Sequence, residues 1–268
     1  MAWPDESLTV DSVDWSWWNQ IGNTGTKPIP VAEFVELNPS VDVYWLRACW
    51  PSGLPDKLYP VYYDAVVAAG KKVAAYVWPN VTMTIARVKE NWKIALGDRV
   101  PKLVVGDFEE PSYGQDNAAL TGDLHRSLPA LSETFPNSVI AGYGRASWID
   151  EKIRVPLPAG FPWIVAHYPM PYFSPEYRQY KTHDELHNNL PIGNSFTPTL
   201  GRRLGAAEVV GWQFSEYGYL PGWAKRMDLD SFKADFVETV YGDHVPPPEP
   251  SDPEKLRLLW DWYTKASP

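Results

Sequence analysis

The residues best placed to do chemistry lie in Lys102-Leu-Val-Val-Gly-Asp-Phe-Glu-Glu110. An apolar run ending in Asp-x-Glu puts two carboxyls at the end of a core strand, which is costly unless both are used. Residues two apart on a strand share a face, so Asp107 and Glu109 point the same way. Two carboxyls this close oppose each other's ionisation. One pKa therefore rises, and a carboxyl so raised can protonate a leaving oxygen near neutral pH. The plainer alternative is a pair of strand-end charges matched to Arg or Lys. A third carboxyl, Asp14, stands in Ser12-Val-Asp-Trp-Ser16, and a fourth, Asp228, in Met227-Asp-Leu-Asp230. Asp230 itself, before Ser-Phe-Lys, reads as a helix N-cap.

These acids need a scaffold that gathers them. Short β-branched or aromatic runs at 12–16, 41–48, 72–78, 102–109, 138–144, 163–168 and 209–215 read as strands. Between them, 59–70, 82–97, 116–135 and 175–188 read as helices, by apolar spacing and by the Gly or Asn near their ends. Strand–helix alternation predicts a parallel sheet with right-handed crossovers. Seven or eight strands in so short a length favour a closed, irregular TIM-like (β/α) barrel over an open sheet. No Gly-rich nucleotide fingerprint follows any strand, which weakens the open, doubly wound alternative. In a closed barrel the first and last strands are neighbours, which brings Asp14 and Asp228 beside Asp107 and Glu109.

Composition narrows the function further. The chain has 268 residues, 24 basic against 33 acidic, and a net charge of −9. No run of Lys and Arg forms a patch for nucleic acid, and no apolar stretch is long enough to insert into a membrane. The first residues, Met-Ala-Trp-Pro-Asp-Glu, are no secretory signal. A single cysteine, Cys49, excludes a disulfide framework and reads as an ordinary near-core thiol. Among the five histidines only His183 and His187 have helical ligand spacing, and a solvated helix face explains them. What stands out is the aromatic content, 14 Trp, 15 Tyr and 9 Phe, because flat rings in a groove stack on sugar faces. The barrel is expected over residues 1–242, a proline-rich linker over 243–253, and a short amphipathic helix over 254–268.

In this setting the chain resembles the family 25 glycoside hydrolases, the Chalaropsis-type lysozymes of bacterial autolysins and phage endolysins. Val13-Asp-Trp-Ser16 is similar to that family's opening strand, and Arg47, with Asp56 before Tyr59, to its second unit. Val105-Gly-Asp-Phe-Glu109 resembles its Asp-x-Glu strand, and Ala141-Gly-Tyr143 the tyrosine-ended strand that follows. Trp163-Ile-Val-Ala-His-Tyr168 and Trp212-Gln-Phe-Ser215, with Gly218, Pro221-Gly222 and Asp228, resemble its closing segments. The matches run in order from about residue 12 to 232. Two departures stand out: Tyr76-Val-Trp78 replaces a Tyr-His-Phe, and Ser12 replaces a leading glycine.

The resemblance implies hydrolysis of the β-1,4 bond between N-acetylmuramic acid and N-acetylglucosamine in peptidoglycan glycan strands. It makes Glu109 the general acid. Asp107 then either stabilises the oxocarbenium-like centre or orients the substrate's own acetamido group, two routes that stay open. Asp14 and Asp228 would hold hydroxyls or tune Glu109, while Tyr76, Tyr143, Tyr168, Gln213, Trp212 and Arg47 would bind sugar. It calls for no metal and no cofactor. With no signal, no disulfide and a proline-rich linker, the expected source is a phage endolysin or tail lysin. An endolysin would be made in the host cytoplasm and released to the wall through holin-type holes; a tail component or non-classical secretion is the alternative. A wall-binding module beyond the linker, or a partner, would supply affinity; the alternative for the terminal segment is a helix that packs back on the barrel. The competing functions are a family 18 chitinase or endoglycosidase, a non-catalytic glycan-binding phage module, and a metal hydrolase built on the four acids.

Overall fold

The computed structural model describes residues 9–16, 28–80, 82–109, 117–157, 159–168, 203, 207–218, 220–222 and 227–242. The expected helix at 175–188, the linker at 243–253 and the terminal helix at 254–268 lie outside them.

Eight strands close into one barrel in chain order. They are β1 (Thr9–Trp15), β2 (Val41–Cys49), β3 (Lys72–Val77), β4 (Leu103–Asp107), β5 (Val139–Arg145), β6 (Pro162–Ala166), β7 (Glu208–Gly218) and β8 (Met227–Lys233). Around it run α1 (Val31–Leu37), α2 (Tyr59–Ala68), α3 (Ile85–Leu96), α4 (Asn117–Thr134), α5 (Ala146–Lys152) and α6 (Ala234–Tyr241). The seven expected strands and three of the four expected helices appear within a few residues of their sequence-based bounds.

One expectation is corrected. The sheet is mixed: β1 through β7 run parallel, but β8 lies antiparallel to both β7 and β1. The hairpin-like return of β8 puts its N-terminal end, not its C-terminal end, at the mouth where β1–β6 finish. Asp230 is thereby no helix cap. It sits in the middle of β8, opposite Ser12 of β1 and Gln213 of β7, with no exposed surface.

Strand alternation sorts side chains into two cores. Inward-pointing Val43, Trp45, Ala74, Leu103, Val105, Ala141, Ile164 and Phe232 fill the barrel, as expected for strands covered on both faces. Outward-pointing Val13, Trp15, Tyr44, Leu46, Trp163 and Trp212 meet the helices. Among the described residues, most of the buried aromatic rings lie here: Trp15 packs edge-on against Phe34 of α1 and Tyr44 of β2 at ring separations of 5.0 and 4.8 Å. Gly142 of β5 admits one of these rings, since a Cβ there would lie 2.1 Å from the Trp163 indole. Helix α3 shows how the outer elements are bounded. The Thr84 hydroxyl accepts from the Arg87 N–H at its start, and Gly97 with φ 53° stops it. Its Val88, Trp92, Ala95 and Leu96 face the barrel.

Candidate active site

The mouth of the barrel opens into a cleft of about 670 Å³. Each wall follows from the strand register. Asp107 ends β4 directly opposite Tyr143 of β5, and Arg47 of β2 stands opposite Tyr76 of β3. Asp14 of β1 lies between Trp45 of β2 and Asp228 of β8. Because i and i+2 share a face, Glu109, two residues beyond Asp107, joins it in the cleft. The structure therefore brings together all four acids singled out from the sequence, with Tyr76, Tyr143, Tyr168, Gln213 and Arg47 around them.

Trp212 is the exception. Its neighbour Gln213 takes the inward position on β7, so the Trp212 ring turns outward, 1 % exposed, and packs edge-on against Phe214 at 5.6 Å. The indole N–H donates to the His167 carbonyl at 2.7 Å. Trp212 braces β7 against the end of β6 and does not line the cleft. Conversely, the cleft includes Trp45, Trp78, Arg145 and Glu216, which the sequence reading did not select. Trp45 and Trp78 share the inward phase of Arg47 and Tyr76, so strand alternation could have found them. Glu216 follows a register irregularity in β7 between Gln213 and Ser215, where simple alternation fails.

The acids fall into two electrostatic settings. Glu109 is half-buried, and its Oε1 lies 2.7 Å from the Tyr143 hydroxyl. Across the cleft Asp14 and Asp228 stand opposite each other in the register of β1 and β8, where a protonated carboxyl can hydrogen-bond its partner and the two do not both ionise freely. Both keep some accessible surface, yet they sit on a floor hemmed in by protein. Burial, and then the charge of Asp230, push the Asp14 carboxyl up to about 8, while the hydrogen bond from Asp228 works the other way. Burial and the charge of Asp14 hold Asp228 well above the usual carboxylate range. The same holds for Asp230, through burial and then Asp228. Two carboxyls so placed titrate as a unit, and the upward shifts favour their proton-bearing forms.

The walls are held by polar contacts of their own. Arg47 pairs with the buried Asp56, with Nε and Nη2 each 3.0 Å from Oδ2, and its guanidinium stacks 3.6 Å over Trp50. The Leu58 N–H donates to the other Asp56 oxygen at 3.0 Å, so the loop before α2 fixes the arginine. Arg145 lies over the Tyr168 ring at 5.3 Å. The Gln213 Oε1 accepts from both Tyr143 and Tyr168 hydroxyls at 2.7 Å. Among the described residues no group of three His, Cys, Asp or Glu is arranged to hold a metal ion.

No family model and no curated protein matches the sequence. Solved structures do match. The catalytic domain of the endolysin ply40 from bacteriophage P40 of Listeria monocytogenes superposes with a TM-score of 0.59 at 14% identity, covering 88% of this chain and 98% of that one. A family 25 glycosyl hydrolase from Bacillus anthracis gives 0.59 at 13% identity, over 88% and 94%. The fold is that of the family 25 glycosyl hydrolases. The CTP1L endolysin adds a third match, with a TM-score of 0.59 at 19% identity over 87% of this chain and 70% of that one. At such low identities the shared property is the barrel, and the site must be argued from its own residues.

Proposed function

We propose that this chain is a peptidoglycan hydrolase, an N-acetylmuramidase that cleaves the β-1,4 bond between N-acetylmuramic acid and N-acetylglucosamine. The observation that carries the reading is the pairing of Glu109 with the Tyr143 hydroxyl at one wall of an aromatic-lined cleft, facing the opposed carboxyls of Asp14 and Asp228. Glu109 is the general acid that protonates the glycosidic oxygen and, in the second half of a retaining reaction, the base that takes a proton from water. Asp107, on the same wall, orients the 2-acetamido group or stabilises the oxocarbenium-like centre. Asp14 and Asp228, whose pKa values burial raises, donate and accept hydrogen bonds to sugar hydroxyls without placing two full charges on the floor. Tyr76, Trp45 and Trp78 offer faces and edges to the sugar rings.

The neighbours named as endolysins, one of them from a bacteriophage, support a phage origin and action at the cell wall. In this reading the protein is made in the infected cell and reaches the wall through a membrane lesion made by a second protein, and residues 243–253 link the barrel to a further wall-binding module. Among the described residues no helix is long and apolar enough to cross a membrane.

The test is mass spectrometry of purified peptidoglycan after digestion and borohydride reduction. Reduced muramic acid at the new ends is the expected product. Reduced glucosamine ends would reassign the bond cleaved, and release from chitin alone would overturn the muramidase reading in favour of a chitinase-like one. No new ends on either polymer would leave a glycan-binding module.

A further inference from the structure

Hydrogen-bond accounting around one hydroxyl goes further than the assignment of the acid. The Tyr143 Oη lies 2.7 Å from Glu109 Oε1 and 2.7 Å from Gln213 Oε1. A phenol carries one proton, and both neighbours present acceptor oxygens. The amide presents its oxygen to this hydroxyl: Oε1 also accepts from Tyr168 at 2.7 Å, and the nitrogen side faces the buried Asp230, whose carboxylate form it favours as a donor does. Gln213 is 2 % exposed, so water does not compete for the position.

We infer that Tyr143 is a positioning residue whose hydroxyl proton follows the protonation state of Glu109, with Gln213 as the alternate acceptor. When Glu109 carries its proton, it donates to the Tyr143 oxygen and the phenol proton points to Gln213. When Glu109 is ionised, the phenol proton turns to the carboxylate and Gln213 retains only its bond from Tyr168. Each state of the acid thus has a complete set of hydrogen bonds, and no heavy atom moves between them. A group that must act first as acid and then as base gains from a partner that serves both states. This role in turnover rests on the hydrolase reading above; the hydrogen-bond exchange itself does not.

Other groups bear on the same carboxyl. Asp107 shares its strand end. Asp14 on β1 and Asp228 on β8 face it across the cleft, Arg145 on β5 and Tyr168 after β6 flank it, and Glu216 of β7 lines the same cleft. Two substitutions separate the roles of Tyr143 and Gln213: Tyr143→Phe leaves all of these groups in place, whereas Gln213→Met also strips the Tyr168 hydroxyl of its acceptor, so its shift is read as the difference between Tyr168→Phe and Tyr168→Phe/Gln213→Met. Tyr143→Phe removes a bond made to the ionised form, so the Glu109 pKa rises. Gln213→Met removes a bond made only when Glu109 is protonated, so the Glu109 pKa falls.

The decisive experiment is a carboxyl-carbon NMR titration of Glu109 in the full chain, with the resonance identified by its loss in Glu109→Gln. The expected result is two midpoints displaced in opposite directions, each by on the order of one pH unit. A merely structural role would displace both the same way or neither, and either outcome overturns the inference. If Gln213→Met unfolds, Gln213→Leu takes its place, and a Tyr143→Phe midpoint that stays put is sufficient by itself to overturn it. The alkaline limb of kcat/KM on purified cell wall is expected to follow the same two displacements. A wild-type chain inert on wall would instead sink the hydrolase reading while the titration still decides the role of the hydroxyl.

Discussion

The arc from β2 to β6 and the seam formed by β7, β8 and β1 handle charge in opposite ways. Along the arc the strands run parallel, and their polar groups collect where the strands end. There each charge meets a group of different kind: Arg47 meets Asp56, and Glu109 meets the Tyr143 hydroxyl. At the seam β8 runs backwards, so Asp228 and Asp230 enter from its start and its middle and meet carboxyls instead of cations. Among the described residues Asp230 pairs with no cation, and the group that faces it as a donor is the neutral Gln213 amide. A buried carboxyl without a cation lowers its cost by keeping its proton. The arc therefore supplies the charge-bearing side of the cleft and the seam supplies a proton-bearing floor.

The sharpest way to break this comparison is at the arc's acid. Glu109→Gln keeps the shape and removes the proton donor, so hydrolysis of purified wall should fall by about 10²–10⁴-fold or more while the far-UV circular dichroism stays unchanged. Full activity in that variant would remove Glu109 from its role. Next comes the arc's ion pair. Asp56→Ala leaves Arg47 buried without its partner, and chemical denaturation should report a loss of about 3–5 kcal/mol.

The seam predicts the reverse sign. The Asp14 pKa in the fold, about 8, is above its ordinary value of 3.8. Its contribution to stability is therefore full below about pH 4 and is lost as pH rises through about 8. The melting temperature should accordingly fall between those limits. Asp228→Asn removes a carboxyl whose own pKa is held up by burial and by the Asp14 charge, so the melting temperature should fall less steeply with pH. At pH 8 the variant should melt above the wild type by roughly 2–4 °C for each kcal/mol of repulsion relieved. A variant with the same pH slope as wild type would show that the seam carboxyls are not coupled. The smallest effect belongs to the outward face of β7. Trp212→Phe loses the bond to the His167 carbonyl and part of the packing, a cost of about 1–3 kcal/mol. Its KM on wall should not move, and a raised KM would return Trp212 to the cleft.

Much of this was legible along the chain. Apolar runs bounded by Gly, Pro and Asn gave the strands and helices of the arc, because a strand covered on both faces and an amphipathic helix each have a local signature. The phase of those runs put Asp107 with Glu109, and the same phase, though unused, places Trp45 with Arg47. The seam was harder to read. Met227-Asp-Leu-Asp-Ser-Phe-Lys233 has two acids and a serine where a buried strand usually has apolar residues, and Asp230 before Ser-Phe-Lys imitates a cap. Trp212 and Gln213 are adjacent, so assigning both to the cleft conflicted with strand alternation.

The sequence by itself determined which side chains share a face, because the two-residue and 3.6-residue periods are properties of the local backbone. It thereby determined the barrel class and the Asp-x-Glu wall. Only the tertiary structure decided the direction of β8, and with it which carboxyls face each other and which oxygens surround the Tyr143 hydroxyl. Those outcomes depend on contacts between residues 62 to 218 positions apart in the chain, such as Tyr76 with Asp14, Tyr143 with Gln213, and Ser12 with Asp230. Periodicity carries no record of strand direction; closure of the barrel sets it.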